Sequence, residues 1–128
     1  MWKFAVLSLL ACTAVWAQSK AEVRGKWTLT ELGGKKPKQA TLPSLEFTDD
    51  KVSGNTGCNQ FTTGYFLSGN AVKFTVSAMT KVACTDEVAG KTETEFTGVL
   101  ERTANYKVNK DTLELLDGKF KSLAKFKK

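Results

Sequence analysis

Residues 58 to 84 constrain this chain more than any other stretch. Phe61, Thr63, Tyr65 and Leu67 alternate with Thr62, Gly64, Phe66 and Ser68, Gly69-Asn70 follows, and Val72, Phe74 and Val76 then alternate with Lys73 and Thr75. Period-two alternation on both sides of a two-residue turn reads as a β-hairpin with one apolar face. Cys58 and Cys84 bracket it. Just before the hairpin, Gly54, Asn55, Gly57 and Asn59 crowd around Cys58. These residue types tolerate positive φ, so a sharp turn or bulge is expected there.

The flanking sequence supplies partners for that hairpin. Gly25-Lys26-Trp27-Thr28-Leu29-Thr30-Glu31-Leu32 is rich in β-formers, with Trp27, Leu29 and Glu31 on one face and Trp27 as a core anchor. Gly33-Gly34 ends this strand, and Lys35-Lys36-Pro37-Lys38 is a basic loop, read as a solvated turn or a docking patch. Ser44–Thr48 and Lys51–Asn55 alternate about Asp49-Asp50 and form another hairpin. After Cys84 the period changes: Val88, Thr92, Phe96, Val99, Leu100 and Thr103 recur at helical spacing. A helix over about 86–103 follows, with Thr85-Asp86-Glu87 as an early start, Thr92-x-x-Glu95 as a capping box, and fraying before Thr92.

The tail returns to strands through Tyr106 and Val108, then Leu113 and Leu115, then a tight Asp117-Gly118 turn. In the last strand Lys119, Lys121, Lys125 and Lys127 share one face, and Phe120, Ser122, Ala124 and Phe126 the other, with Leu123 breaking the pattern. The lysine row reads as a solvated face that discourages edge pairing, or as a binding stripe. The fold class expected is α+β: an antiparallel, barrel-like sheet of about eight short strands with one inserted helix.

The first 17 residues read as a secretory leader, with Lys3, the apolar run Phe4 to Ala11, and Val15-Trp16-Ala17 before Gln18 as the cleavage site. A second reading keeps Leu9-Leu10-Ala11-Cys12 as a lipobox, in which Cys12 carries lipid and anchors the chain to a membrane. The organisation expected is a leader over 1–17, a short mobile lead over 18–24, and one domain over 25–128. No apolar run reaches the roughly 18 residues that a spanning helix needs. Export to the periplasm or beyond would leave Cys58 and Cys84 in an oxidising compartment, where one disulfide is the default and two buried thiols the alternative. That staple would contribute about 3–4 kcal/mol.

Composition narrows the chemistry. The chain has no histidine, which excludes nucleophile–histidine arrangements, and Cys58 and Cys84 alone make a poor metal signature. Asp49-Asp50 and Asp86-Glu87 sit at turn or cap positions, and Glu93 and Glu95 face different directions on the helix. Gly54-x-x-Gly57 lacks the lysine and following helix of a phosphate loop. No catalytic, cofactor-binding or metal-binding residue is therefore assigned. The net charge of +6, to which the leader contributes only Lys3, favours an anionic surface or an acidic protein. With Arg24 and Arg102 as its only arginines, the chain does not read as a nucleic-acid binder.

Gly57-Cys58-Asn59-Gln60-Phe61, then Tyr65, Ala78-Met79-Thr80-Lys81, Cys84, Glu95-Phe96 and Leu100 resemble the META domain of HslJ-like proteins. Trp27-x-Leu29, Leu45-x-Phe47, Val52-Ser53-Gly54 and Leu113-x-Leu115 match in order, so the resemblance covers nearly all of residues 25 to 126. Lys81 stands where arginine is common. The resemblance implies an antiparallel barrel around one helix in exported bacterial proteins linked to stress tolerance, with no agreed ligand or activity. It makes Gly57, Asn59, Phe61, Thr80, Lys81 and Trp27 structural, with Asn59 as a turn or polar bridge and Cys58 and Cys84 as the staple. The function it implies is non-enzymatic envelope maintenance through binding another envelope component. Gly25-x-Trp27 also resembles the opening of lipocalins and of small periplasmic protease inhibitors, in which residues 18 to 24 would enter the enzyme; a secreted inhibitor or binding module is the alternative.

Overall fold

The computed structural model describes residues 20–128; the leader, Cys12 and the Ala17–Gln18 junction lie outside them. The elements run α1 (Lys20–Val23), β1 (Gly25–Leu32), β2 (Ser44–Phe47), β3 (Lys51–Asn55), β4 (Gln60–Ser68), β5 (Ala71–Met79), α2 (Glu87–Arg102), β6 (Asn105–Asn109), β7 (Thr112–Leu116) and β8 (Ser122–Lys127). Each strand pairs antiparallel with the next, and β1 pairs with β8, so eight strands close a barrel in chain order. This is the α+β barrel with one inserted helix that the alternation implied.

Alternation decides what enters the barrel. In β4, Phe61, Thr63 and Tyr65 are buried while Thr62 and Phe66 are exposed; in β2, Leu45 and Phe47 are buried while Glu46 is exposed. Trp27, Leu29, Leu113 and Phe126 are fully buried in the same core. Phe47 and Tyr65 meet edge to face at 5.2 Å. The interior of an eight-stranded barrel is about wide enough for side chains to fill it, and here they do. Truncating Trp27 to alanine would remove about 3–5 kcal/mol of packing.

Three register shifts modify the simple pattern, one of them where β4 meets β5 between Thr63 and Tyr65. Between Leu29 and Glu31, β1 slips against β8, so Leu32 turns inward and joins the core, whereas Glu31 reaches Lys125 at 3.7 Å. Between Leu115 and Leu116, β7 slips against β8, and Leu123 and Ala124 are both buried. A bulge places two residues opposite one and resets the phase of the strand. The break at Leu123 in the sequence is therefore a bulge.

The last strand begins later than its alternation implied. Phe120 does not share the inward face with Ala124 and Phe126: it is 63% exposed, in the β7–β8 loop, at φ +62°. The loop is wider than a two-residue Asp117-Gly118 turn, because Asp117 N–H donates to Lys121 O (3.0 Å) and Asp117 Oδ1 accepts from Lys119 N (2.8 Å) and Lys121 N (2.9 Å).

The two ends of the barrel are closed differently. At the lower end, residues 20 to 24 are not a free lead. Lys20–Val23 form one helical turn, Val23 is buried, and Val23 O accepts from Trp27 Nε1 at 2.7 Å. Arg24 pairs with Asp49, and the Lys20 ammonium lies 5.2 Å from the centre of the Tyr65 ring. Across the upper end lies α2. Its N-cap is Asp86, whose carboxylate accepts from Val88 N at 2.9 Å, so the helix runs unbroken from Glu87 and Thr92 is an interior residue. Starting there, the helix buries Ala89, Phe96 and Val99 and leaves Val88 46% exposed, against the stripe expected from the sequence.

Replacing Phe120 by glycine removes a side chain from the left-handed region, where an L-residue is disfavoured by about 1–2 kcal/mol, against about 0.5–1 kcal/mol of glycine entropy. Chemical denaturation should find Phe120→Gly unchanged or more stable by up to about 1 kcal/mol. A clear loss would mean that the ring packs against the protein in solution.

Candidate functional site

The sequence motif residues converge at the upper end of the barrel, where the β3–β4 loop meets the segment leading into α2. Thr56-Gly57-Cys58-Asn59 turns sharply: Thr56 N–H donates to Asn59 O (2.8 Å), Thr56 Oγ1 accepts from Asn59 N (2.8 Å), and Asn55 Oδ1 accepts from Gly57 N (2.6 Å). Gly57 sits at φ +93°, and a Cβ there would stand 2.1 Å from Gln39 Nε2 and 2.9 Å from Thr41 O. Both the backbone conformation and the close approach of the β1–β2 loop require glycine at this position.

Asn59 is 3% exposed and is the hub of a polar network. Its Oδ1 accepts from Val82 N (2.7 Å) and from Thr80 Oγ1 (3.0 Å). Its Nδ2 donates to Val82 O (3.0 Å) and to Glu93 Oε2 (2.8 Å). The same Glu93 oxygen accepts from Thr56 Oγ1 at 2.6 Å. Thr80 also accepts from Gln60 N at 3.1 Å, tying the end of β5 to the start of β4. Asn59 thus bridges the β3–β4 turn, the segment after β5 and α2. Lys81 is exposed beside this network.

Cys58 and Cys84 are joined, with Sγ–Sγ 2.04 Å and Cα–Cα 5.6 Å, within the ordinary span of a disulfide. Both are half-buried and line a cleft of about 370 Å³ with Gln39, Thr41 and Asp86. Gln39 Nε2 donates to Thr41 O at 3.0 Å, while its buried Oε1 has no hydrogen-bond partner among the described residues. A Glu93 oxygen lies within 4.8 Å of both sulfurs. Sulfurs bonded to each other offer no thiolate to a metal ion, so in the oxidised protein this cluster holds the fold together.

Phe61 and Trp27 are core residues, buried at 4% and 0% exposure. Phe61 packs 5.9 Å from Phe96 of α2. Elsewhere, a groove of about 610 Å³ follows the outer wall of β1 to β5 past Lys26, Glu46, Ser53, Thr62 and Ala78. Burial pushes the Tyr65 and Tyr106 phenols above their usual range, with Asp49 adding to the shift at Tyr65 and Glu22 at Tyr106. Residues 20 to 24, which an inhibitor would send into a protease, are bound to this chain's own barrel.

The sequence reading missed Glu93 and Thr56 as members of the network. The signal for Glu93 was present: it lies on the same helical stripe as Ala89 and Phe96, and an acid on the buried face of a helix needs partners. Thr56 carried no comparable signal, because its role comes from a turn that only the folded loop defines.

A family model for the META domain matches residues 20–128. No curated protein matches the chain in sequence. Among solved structures, the barrel is similar to a protein solved by NMR, with TM-score 0.70 and 19% identity over 86% of this chain and 94% of that one. It is also similar to a protein from Burkholderia xenovorans solved by NMR, with TM-score 0.67 and 18% identity over 84% of each chain. A crystal structure of a DUF4847 family protein from Bacteroides vulgatus ATCC 8482 gives TM-score 0.61 and 13% identity over 82% of this chain and 92% of that one. At these identities the likeness is one of fold.

Replacing Cys58 by serine should lower stability by about 2–5 kcal/mol in denaturant titrations. Wild-type protein should lose a comparable amount in reductant; identical curves with and without reductant would remove the staple from the account. Glu93→Ala leaves the Asn59 amide and the Thr56 hydroxyl without their acceptor and should cost about 1–3 kcal/mol. Glu93→Gln, which keeps a carbonyl oxygen there, should cost less, and equal losses would mean that the network adds little.

Proposed function

This chain belongs to the META-domain family, and from that premise we propose that it acts without catalysis, as an exported domain that maintains the cell envelope or supports stress tolerance by binding another envelope component. The observation that carries this reading is the filled barrel: Trp27, Leu29, Leu45, Phe61, Leu113 and Phe126 occupy the interior from several strands at once. A partner is then met on the outer wall or at the ends. The disulfide between Cys58 and Cys84 suits an oxidising compartment outside the cytoplasm. A leader cleaved between Ala17 and Gln18 would deliver a soluble protein there, and lipidation at Cys12 a membrane-anchored one.

A strain lacking the gene should show reduced survival under heat, detergent or antibiotic stress, restored by the wild-type copy. A null strain indistinguishable from its parent under all three conditions would overturn the envelope role. Intact mass spectrometry of protein from fractionated cells tests export separately: a chain beginning at Gln18 and gaining the hydrogens of one disulfide on reduction fits the soluble form. A chain that retains Met1 in the cytoplasmic fraction would overturn export.

A further inference from the structure

The β7–β8 loop presents a phenyl ring to solvent, flanked in sequence by the exposed Lys119 and Lys121. Phe120 is 63% exposed, and its backbone lies at φ +62°, a region that non-glycine residues rarely adopt. A large apolar side chain held there mostly in solvent points to a role outside its own protein. The loop is also preformed. Asp117 Oδ1 accepts from the backbone of Lys119 and Lys121, and Phe120 N–H donates to Asp117 O at 3.1 Å. Those backbone donors hold the Asp117 carboxyl below the usual carboxylate range.

A second basic loop stands beside it. The end of β1 and the start of β8 are paired neighbours: Leu32 lies opposite Ala124, Gly33 N–H donates to Leu123 O at 3.0 Å, and Leu32 exchanges backbone hydrogen bonds with Lys35. Gly33, Gly34, Lys121 and Arg102 line one shared cleft of about 280 Å³. Lys35, Lys36, Lys119, Lys121 and Arg102 are all exposed on this side of the upper end. Glu95 lines the same cleft against Gly33, and Asp117 is engaged with its own loop. The rest of the lysine row has other surroundings. Lys125 reaches Glu31 and Glu114, and Lys127, paired with Thr28 and Thr112, belongs to the lower end.

We infer that this corner of the barrel docks on an anionic phospholipid bilayer, with Phe120 entering the interface and Lys119, Lys121, Lys35 and Lys36 meeting the phosphate headgroups. The inference names the envelope component in the proposed function and rests on that reading. Charge complementarity selects an anionic partner, and the ring selects a bilayer over a soluble polyanion. A polyanion is bound by cations alone, whereas at a membrane surface an aromatic ring settles at headgroup depth and lysine stems reach outward past it.

Residues 20–128 close one barrel around one core, so this span serves as the test protein. It should cosediment with vesicles of phosphatidylcholine mixed with phosphatidylglycerol, not with phosphatidylcholine alone, and binding should weaken as salt is raised. Phe120→Ser and the double substitution Lys119→Gln/Lys121→Gln should each lower partitioning by about tenfold. Lys107→Glu, an exposed position on β6, should change it little, and thermal melts should show all variants folded. Absence of binding, equal binding to neutral vesicles, or binding indifferent to Phe120→Ser would overturn the inference. Capture by soluble polyglutamate without vesicle binding would also overturn it and assign the cations to a polymer. The assay uses no cells, so a null strain without phenotype leaves the docking surface standing. A chain that ignores vesicles leaves the envelope role to a different partner.

Discussion

The barrel closes at its weakest point through a single pair of residues. Between β5 and β6 only Ala71 and Asn105 are in register, supported by Val72 N–H to Ala104 O and Tyr106 N–H to Asn70 O. Strands on either side are paired over several residues. Above Ala71, therefore, β5 diverges from β6, and α2, the segment that connects them, covers the opening and the adjoining end. Phe96 occupies that position between Phe61 at 5.9 Å and Phe126 at 6.2 Å. Val99 is buried one turn further on. The core is complete only with the helix in place.

The polar cluster at the upper end follows from that requirement. A helix of this length gains little stability by itself in water, and tertiary contacts must fix it. The Cys58–Cys84 bond fixes the segment before it to the β3–β4 turn. Asn59 then hydrogen-bonds the backbone of Val82 on that segment and the carboxylate of Glu93 on the helix. Covalent staple, buried amide and aromatic plug act on successive parts of one connection. Cys58, Asn59 and Thr80 of the family motif thereby hold the start of α2 and the segment before it to the β3–β4 turn.

At the opposite end the chain uses a lighter device. Val23 plugs the opening and accepts the indole hydrogen of Trp27, while Lys128 lies over the indole at 5.2 Å and donates to Arg24 O at 2.9 Å. First and last residues of the barrel are thus locked around the same tryptophan. A polar stretch such as residues 20 to 24 reads as mobile because its side chains carry no periodic apolar signal. One buried valine and one backbone carbonyl suffice to dock it, and neither is visible without the barrel mouth that receives them.

Local pattern was enough for the element order, the hairpin turns at Asp49-Asp50 and Gly69-Asn70, the helix after Cys84 and the membership of Trp27, Phe61, Tyr65, Phe96 and Phe126 in one core. Those properties depend on residues near each other in sequence, where period two or period 3.6 is directly readable. Tertiary structure decided what depends on distant strands. The slips at Leu29/Glu31 and Leu115/Leu116 occur where β1 and β7 each meet β8, and they moved Leu32 and Leu123 inward. Of the two helix starts the sequence offered, the earlier one is used: α2 runs from Glu87, capped by Asp86, and this carries Glu93 to Asn59. Phe120, which alternation placed inside, was left outside because β8 begins only at Ser122. The sequence by itself therefore determined a stapled, eight-stranded antiparallel barrel with one helix. Closure of that barrel, a constraint on all strands at once, decided which side chains are buried, which are bonded and which stay exposed.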